Sequence, residues 1–148
     1  GARAVTPARV RVRIVAVHAP GMWRDKEAEP RILGSVALLE EPDPRLEGLE
    51  QLAVWIEQPR SYAIYVPYFE IRNKPMAGDE VFVRRINKSG KVEETIRKVV
   101  TTRGKVQLSL QGSAPKGVEK SIAYPSESSD EQIEIVGFVI GTYFKKSW

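Results

Sequence analysis

The stretch that decides the fold is IYVPYFEIRNKPMAGDEVFV, residues 64–83. Two runs rich in β-branched and aromatic residues, 64–66 and 80–83, flank a segment that contains two prolines and the pair Gly78-Asp79. Such runs are typical of strands, and proline and glycine are typical of the loops that join them. The stretch therefore predicts a strand, a loop and a second strand, with the charged residue Glu70 in the loop.

The same signals recur along the rest of the chain. RVRVRIVAV, residues 9–17, alternates arginine with apolar residues, and this period of two predicts a half-buried strand. NKSGK and TTRGK each place a glycine at a hairpin tip, whereas LAVWIEQ, residues 52–58, is ambiguous between a strand and a short helical turn. The predicted strands are 9–17, 32–39, 62–66, 80–86, 92–100, 106–110, 121–124 and 133–144. No helical apolar period is long, so we predict a mostly β, small barrel-like or sandwich domain of short twisted strands with little helix.

Length and composition limit the class of protein. The 148 residues, 42% of them hydrophobic, fit a single domain, which we place at residues 9–148. We expect residues 1–8 to be disordered or left over from cloning. The chain has no cysteine and one histidine, so a disulfide framework and a cysteine-ligated zinc site are excluded, and we expect no metal and no cofactor. No apolar run reaches the roughly 18 residues of a membrane helix, and we expect a cytoplasmic protein with no membrane partner.

The charge of the chain is mildly basic, with a net value of +4. One alternative function is a small β-barrel that binds nucleic acid directly through basic residues at its two ends. A solvated face that protects the edge of a sheet is the more common use of such charges. The basic residues concerned are Arg9, Arg11, Arg13, Lys145 and Lys146.

Five segments, taken in order, resemble the C-terminal domain of the LexA and phage-repressor family of self-cleaving serine-lysine proteins. VAVHAPGMW, residues 15–23, is similar to the segment that carries the cleaved Ala-Gly bond. YAIYV, residues 62–66, and AGDEVFV, residues 77–83, resemble the strands on either side of the serine loop. TIRKVVTTRGKVQL, residues 95–108, resembles the strand that supplies the lysine, together with its hairpin. QIEIVGFVIG, residues 132–141, resembles the last strand, which often pairs two protomers.

The resemblance implies a LexA-like fold in which both members of the catalytic dyad are replaced. Glu70 occupies the serine position and Arg97 the lysine position, with Lys98 as the other candidate for the second. A carboxylate has no hydroxyl to attack a peptide carbonyl, and a guanidinium is too basic to act as a neutral base. We therefore expect a degenerate, inactive peptidase-like domain. We also hypothesise that Glu70 and Arg97 form a charge-assisted ion pair in the former cleft.

The segment that would carry the cleavage site departs from the family as well. Pro20 stands between Ala19 and Gly21, and proline has a fixed φ and no N–H with which to dock the loop. The resemblance implies a domain that forms the homodimer or higher oligomer of a phage-type transcriptional repressor. Operator DNA would be bound by an N-terminal helix-turn-helix that is not in this chain. The candidate dimer strand contributes Ile135, Phe138, Ile140 and Tyr143.

Loss of self-cleavage has a consequence for regulation. Relief of repression would then require another agent, such as an antirepressor protein, a ligand in the former cleft or a separate protease. The remaining alternative is an active serine-lysine autopeptidase whose motif is aligned differently, with Ser61 or Ser89 as the nearest serines.

Overall fold

The structure is a computed structural model, and it describes residues 8–26, 31–38 and 61–144. Predictions for residues 1–7, for LAVWIEQ and for the two C-terminal lysines concern parts of the chain outside these ranges. Each predicted strand is present, and its ends differ from the prediction by two residues at most. The elements are β1 Ala8–Ala16, β2 Arg31–Leu38, β3 Ser61–Pro67, α1 Tyr68–Ile71, β4 Glu80–Ile86, β5 Val92–Thr102, β6 Lys105–Ser109, β7 Ser121–Tyr124 and β8 Gln132–Phe144.

The strands form one antiparallel sheet with the order β2-β1-β3-β8-β4-β5-β6-β7. Hairpins join β4 to β5 and β5 to β6, and their tips contain Gly90 and Gly104 at φ +80 and +75. These left-handed positions favour glycine, which is why the sequence marks both turns. Within the described ranges the sheet is open, with β2 and β7 at its edges. The predicted mostly β class with little helix is confirmed.

The last strand lies in the middle of the sheet. Residues 137–144 of β8 pair with β3, and residues 132–138 pair with β4. β3 and β4 follow each other in the chain but are separated in space by β8, so residues 68–79 must pass across β8 to connect them. The helix α1 in this connection packs against β3 and β8.

The core occupies both faces of β4. Val81 and Val83 point to one face and Phe82 to the other, because successive residues of a strand alternate. The face that α1 covers, called the α1 face below, holds the larger buried cluster. Its buried members are Tyr68, Val81, Val83, Val99, Leu108, Ile122 and Ile135. The opposite face buries Tyr65, Phe82 and Val139, and the rings of Tyr65 and Phe82 stack with their centroids 5.2 Å apart.

Residues 17–26, called the strap below, follow β1 in the chain and run from its end to the start of β5 before the chain continues to β2. Three strands lie between β1 and β5 in the sheet. Arg24 reaches the start of β5, where its main chain exchanges two hydrogen bonds of 2.8 Å with Val92. The sequence predicts no pairing between this region and the sheet. The strap is instead bound to the sheet by main-chain pairing.

Candidate functional site

The loop of residues 68–79 is fixed by a buried tyrosine and an aspartate. The hydroxyl of Tyr68, which is fully buried, donates to Asp79 Oδ2 at 2.8 Å and accepts from the Met76 N–H at 3.1 Å. Arg72 donates to the same carboxylate from Nε at 3.0 Å and from Nη2 at 3.3 Å. Because a bidentate, charge-assisted pair restricts both partners, the loop has one defined shape although it contains only one helical turn.

The two positions assigned to the dyad do not form the ion pair that we hypothesised. Glu70 is exposed on α1, whereas Arg97 on β5 is completely buried. The short helix directs the Glu70 carboxylate towards water, where it keeps its hydration. The guanidinium of Arg97 is bound by oxygen atoms elsewhere on the α1 face, so that hypothesis was wrong.

Arg97 holds the main chain of three neighbouring segments together. Its Nη1 donates to the carbonyl oxygens of Leu108 at 3.1 Å and Lys120 at 3.0 Å. Nη1 and Nη2 both lie 3.3 Å from the carbonyl oxygen of Glu119, and Nε donates to Thr95 Oγ1 at 3.2 Å. Burial lowers the pKa of Arg97, but a guanidinium keeps its charge at neutral pH. The side chain therefore ties β5 to β6 and to the residues before β7.

Arg97, and not Lys98, points to the α1 face. Arg97 lies opposite Val81 in the ladder between β4 and β5, and Val99 two residues later belongs to the same buried cluster. Lys98 must point to the other face because side chains alternate along a strand. The lysine that the sequence left as an alternative is therefore on the wrong side of the sheet to meet the loop of residues 68–79.

A second group of charged side chains lies on the same face as Arg97. Arg85 on β4 pairs with Glu93 on β5, with 3.3 Å between Nη1 and Oε1, and with Glu131 just before β8. Its guanidinium also lies 5.5 Å from the centre of the Trp23 ring in the strap. Burial alone lowers the pKa of Arg85, but the hydrogen bond to Glu131 and the charges of both carboxylates raise it. Positive and negative side chains in this cluster thus compensate each other.

Sequence reasoning missed this cluster, although one signal for it was available. Arg84 and Arg85 lie opposite Glu94 and Glu93 in the hairpin register, and Glu94 accepts hydrogen bonds from both Arg84 and Arg24. Two arginines and two glutamates at mirrored distances from one hairpin tip predict cross-strand ion pairs. What the pattern does not predict is that the strap contacts Arg85, Glu93 and Glu94.

The segment Ala19, Pro20 and Gly21 lies in the strap and contacts the buried charges. The Gly21 N–H donates to Glu93 Oε2 at 2.6 Å. Gly21 has φ +87, and a Cβ atom on it would lie 2.7 Å from Cγ2 of Val118. Glycine is therefore required at this position both by the backbone conformation and by the close approach of the loop before β7.

One of the four residues proposed for the dimer strand is in the core, and a second packs against the core. Ile135 is buried on the α1 face, and Phe138 packs against the same cluster and stacks on Tyr68. The buried Ile135 cannot form the surface of a dimer contact, whereas the assignment of Phe138 stays a prediction. Ile140 is half-buried, and the side chain of Tyr143 lies outside the description. Among the described residues, 139–144 of β8 pair with β3 alone, and we call their other side the open edge of β8.

The described part of the chain contains neither a candidate metal site nor a membrane-spanning helix. There, no three His, Asp or Glu side chains come together in a way that could hold a metal ion. His18 is half-buried in the strap. In the described ranges, no helix is long and apolar enough to cross a bilayer.

The tyrosine of the loop makes stability depend on pH in the alkaline range. Burial raises the pKa of Tyr68 to about 12. Since the folded protein keeps this proton to higher pH than the unfolded chain does, the stabilisation is complete below pH 10 and is lost as pH rises towards about 12. We expect Tyr68→Phe to show a smaller loss of unfolding free energy over that range.

Urea unfolding below pH 10 and again near pH 12 measures this difference. Tyr68→Phe is expected to be less stable than the unchanged protein at the lower pH, because the Met76 N–H loses its acceptor. Equal pH dependence of the two proteins would show that Tyr68 does not titrate differently on folding.

Glu70 and Arg97 present neither the hydroxyl nor the amine of a serine-lysine pair. An exposed carboxylate and a buried guanidinium bound by carbonyl oxygens cannot exchange a proton with a substrate in the way a serine and a lysine do. Comparison of the chain with protein-family models, with curated proteins and with solved structures finds no significant match.

Proposed function

We propose that the chain is an assembly module, the C-terminal dimerisation domain of a phage-type transcriptional repressor that has lost self-cleavage. Its partners are a second copy of the chain and, through an N-terminal helix-turn-helix outside this chain, operator DNA in the cytoplasm. The two-fold symmetry of a dimer matches the two half-sites of an operator. Release from DNA would then depend on another agent, such as an antirepressor protein.

The observation that carries the loss of catalysis is the engagement of Arg97. Its guanidinium donates to the carbonyl oxygens of Leu108, Glu119 and Lys120, so it is a structural group. A base must be able to take a proton from a nucleophile, and a fully engaged guanidinium cannot. Strands lie on both sides of the segment that contains Glu70. An engaged Arg97 between such strands favours a domain that has the peptidase-like fold and has lost self-cleavage.

Support for assembly comes from the open edge of β8, residues 139–144. The main-chain groups on such an edge can pair with an extended strand of another chain. Ile140, which is half-buried, lies within this part of β8. The proposed contact therefore uses residues 139–144 of the strand, which lie beyond the last residue that β4 covers.

Sedimentation equilibrium of the full chain over a range of concentrations tests the proposal. We expect the unchanged protein to dimerise and Ile140→Asp to weaken the dimer about tenfold or more, because a carboxylate in a dry contact must lose its hydration. Gln132→Asp is the matched control, since it adds the same charge at the exposed, opposite end of the same strand. Circular dichroism checks that both variants fold. A monomer at every concentration would contradict the assembly role.

The alternative functions give different results. After incubation at alkaline pH we expect one intact chain, and two fragments that meet near residues 19–21 would instead support the autopeptidase. Salt-dependent binding of random duplex DNA by this chain would favour the nucleic-acid-binding β domain.

A further inference from the structure

The second half of β5 and the whole of β6 form a surface with basic side chains and no acidic one. Lys98 lies opposite Ser109, and Thr102 lies opposite Lys105, in the ladder between the two strands. Because side chains alternate along a strand, all four point to the side of the sheet opposite α1. All four are exposed or half-buried. The acid-free segment extends beyond these strands, since residues 95–118 contain five basic residues and no acidic one.

The same surface continues onto the edge strand β7. Ser121 lies opposite Ser109, and their hydroxyl oxygens are 3.2 Å apart. Gln107 lies opposite the small residue Ala123, so its amide has no bulky neighbour across the ladder. This surface, together with the turn at its end, is called the basic face below. Its basic members are Lys98, Arg103 and Lys105, and its polar members are Thr102, Gln107, Ser109 and Ser121.

The three basic side chains of this face have no carboxylate partner in the described ranges. The ion pairs found there engage five other basic residues, Arg24, Arg72, Arg84, Arg85 and Lys91. Glu80 lies opposite Lys98, and Glu127 lines a cavity together with Lys105, yet neither carboxylate forms an ion pair with these lysines. Positive charges without a partner keep their attraction for an anionic molecule.

Arg103 occupies a turn position that is unfavourable for arginine. The hairpin between β5 and β6 has a two-residue turn, in which Arg103 has φ 52 and Gly104 has φ 75. Positive φ at both residues is typical of a type I′ turn, which favours asparagine and glycine. Among the described residues, Arg103 is the one residue other than glycine with positive φ. Backbone strain of this kind concentrates at functional sites, and here it places a guanidinium at the tip of the hairpin.

The composition of the basic face fits contacts with nucleic-acid phosphates better than a protein interface. Phosphate oxygens accept hydrogen bonds from arginine, lysine, serine, threonine and glutamine, which are the residue types of this face. Protein interfaces depend on large apolar or aromatic anchors, whereas the one large apolar side chain exposed on β5 and β6 is Val100. Protection of a sheet edge does not explain the charges, because the strands that carry them are internal and β7 is the edge.

We propose that the basic face binds the sugar-phosphate backbone of duplex DNA, without regard to base sequence. Lys105 lies four residues along β6 from the partner of Lys98, which is about 13 Å at 3.3 Å per residue. This separation corresponds to about four steps of 3.4 Å along one DNA strand, so the two lysines reach different phosphates, with Arg103 beyond them.

The inference goes beyond the proposed function, because it gives this chain its own contact with DNA beside the operator. It also differs from the alternative function, in which basic residues at the two ends of the chain bind nucleic acid and no assembly is needed. The basic face lies on β5, β6 and β7, whereas the open edge proposed for the dimer lies on β8. DNA contact and dimerisation can therefore be measured separately.

Fluorescence anisotropy of a labelled random duplex of about 30 base pairs, titrated with the full chain from about 50 to 200 mM salt, tests this assignment. We expect the logarithm of the binding constant to fall with the logarithm of salt concentration with a slope of about −2.7, for three phosphates. Arg103→Asn is expected to weaken binding roughly tenfold at the lower salt and to reduce the magnitude of the slope by about 1. Lys105→Gln should have the same effect.

Two comparisons separate DNA contact from effects on folding or total charge. Arg103→Asn should be at least as stable in urea as the unchanged protein, because asparagine favours this turn position. Lys88→Gln is the matched control, since Lys88 is also exposed but lies at the tip of the hairpin between β4 and β5, at the other end of β5. Its affinity for DNA should not change. An equal loss of affinity in Lys88→Gln and Arg103→Asn would overturn the assignment.

Other outcomes separate failure of the basic face from failure of the proposed function. No binding of the duplex at the lower salt refutes the face, whereas the dimer is judged by sedimentation equilibrium alone. Loss of binding in Arg9→Gln and Arg11→Gln, with none in Arg103→Asn, refutes the face in favour of the chain ends. Binding of polyglutamate and not of DNA would make an acidic protein the partner, which also overturns the assignment. A monomer that binds DNA through this face refutes the assembly role and supports the face.

Discussion

Replacing Arg97 with alanine is expected to lower the free energy of unfolding by about 3–5 kcal/mol, a large part of the stability of a small domain. The side chain is completely buried, so its removal leaves a cavity as well as lost hydrogen bonds. The carbonyl oxygens of Leu108, Glu119 and Lys120 lose a charged donor. The carboxylate of Glu93, which acts on Arg97 through its charge, loses part of its compensation.

Equilibrium unfolding in urea measures this loss, and two variants define its origin. Arg97→Lys keeps the charge but cannot reach three carbonyl oxygens from one ammonium group, so we expect about half the loss. Arg103→Ala removes an exposed arginine at the tip of the next hairpin and should change the stability by no more than about 0.5 kcal/mol. If Arg97→Ala costs no more than Arg103→Ala, Arg97 does not hold these segments together.

Gly137→Ala is expected to cost about 3 kcal/mol, at the upper end of what overpacking a core normally costs. A Cβ atom at residue 137 would lie 2.1 Å from Cδ2 and 2.5 Å from Cγ of Tyr65. The Tyr65 ring cannot move away easily, because it is buried and stacked on Phe82. Either the ring or β8 must therefore shift, and both movements disturb the core on the face opposite α1.

A double-mutant cycle identifies the collision as the cause. In a Tyr65→Ala background the ring is gone, so the additional cost of Gly137→Ala should fall below about 1 kcal/mol. Gly112→Ala provides a comparison, since Gly112 has φ +80 but open space around it and should cost about 1 kcal/mol for the backbone alone. Equal costs of Gly137→Ala in the two backgrounds would show that the Tyr65 ring is not what excludes a side chain.

The local features of the fold could be read from the sequence. The period of two in β1 correctly predicted that Val12 and Ile14 are buried, and the glycines at 90 and 104 correctly marked two hairpin tips. Strand periodicity and turn conformation depend on residues close together in the chain, so the sequence carries these signals directly. Periodicity also correctly predicted that the described residues contain little helix.

The candidate site could be predicted only in part. The resemblance placed Arg97 at the lysine position on β5, but it did not predict that main-chain carbonyl oxygens bind its guanidinium. Nor did it predict that Glu93 accepts the N–H of Gly21, which lies 72 positions away in the chain. Carbonyl acceptors are present at every residue, and the choice among them depends on which segments meet in space.

The sequence by itself therefore determined the strands and their turns. Only the tertiary structure decided that β8 lies between β3 and β4, that Ile135 is buried, and that the strap contacts charged side chains of β4 and β5. These features depend on contacts between residues far apart in the chain, where many pairings satisfy the same alternation of polar and apolar residues. The pairing that forms is the one that buries both faces of β4 at once and compensates the buried charges of Arg85, Glu93 and Glu131.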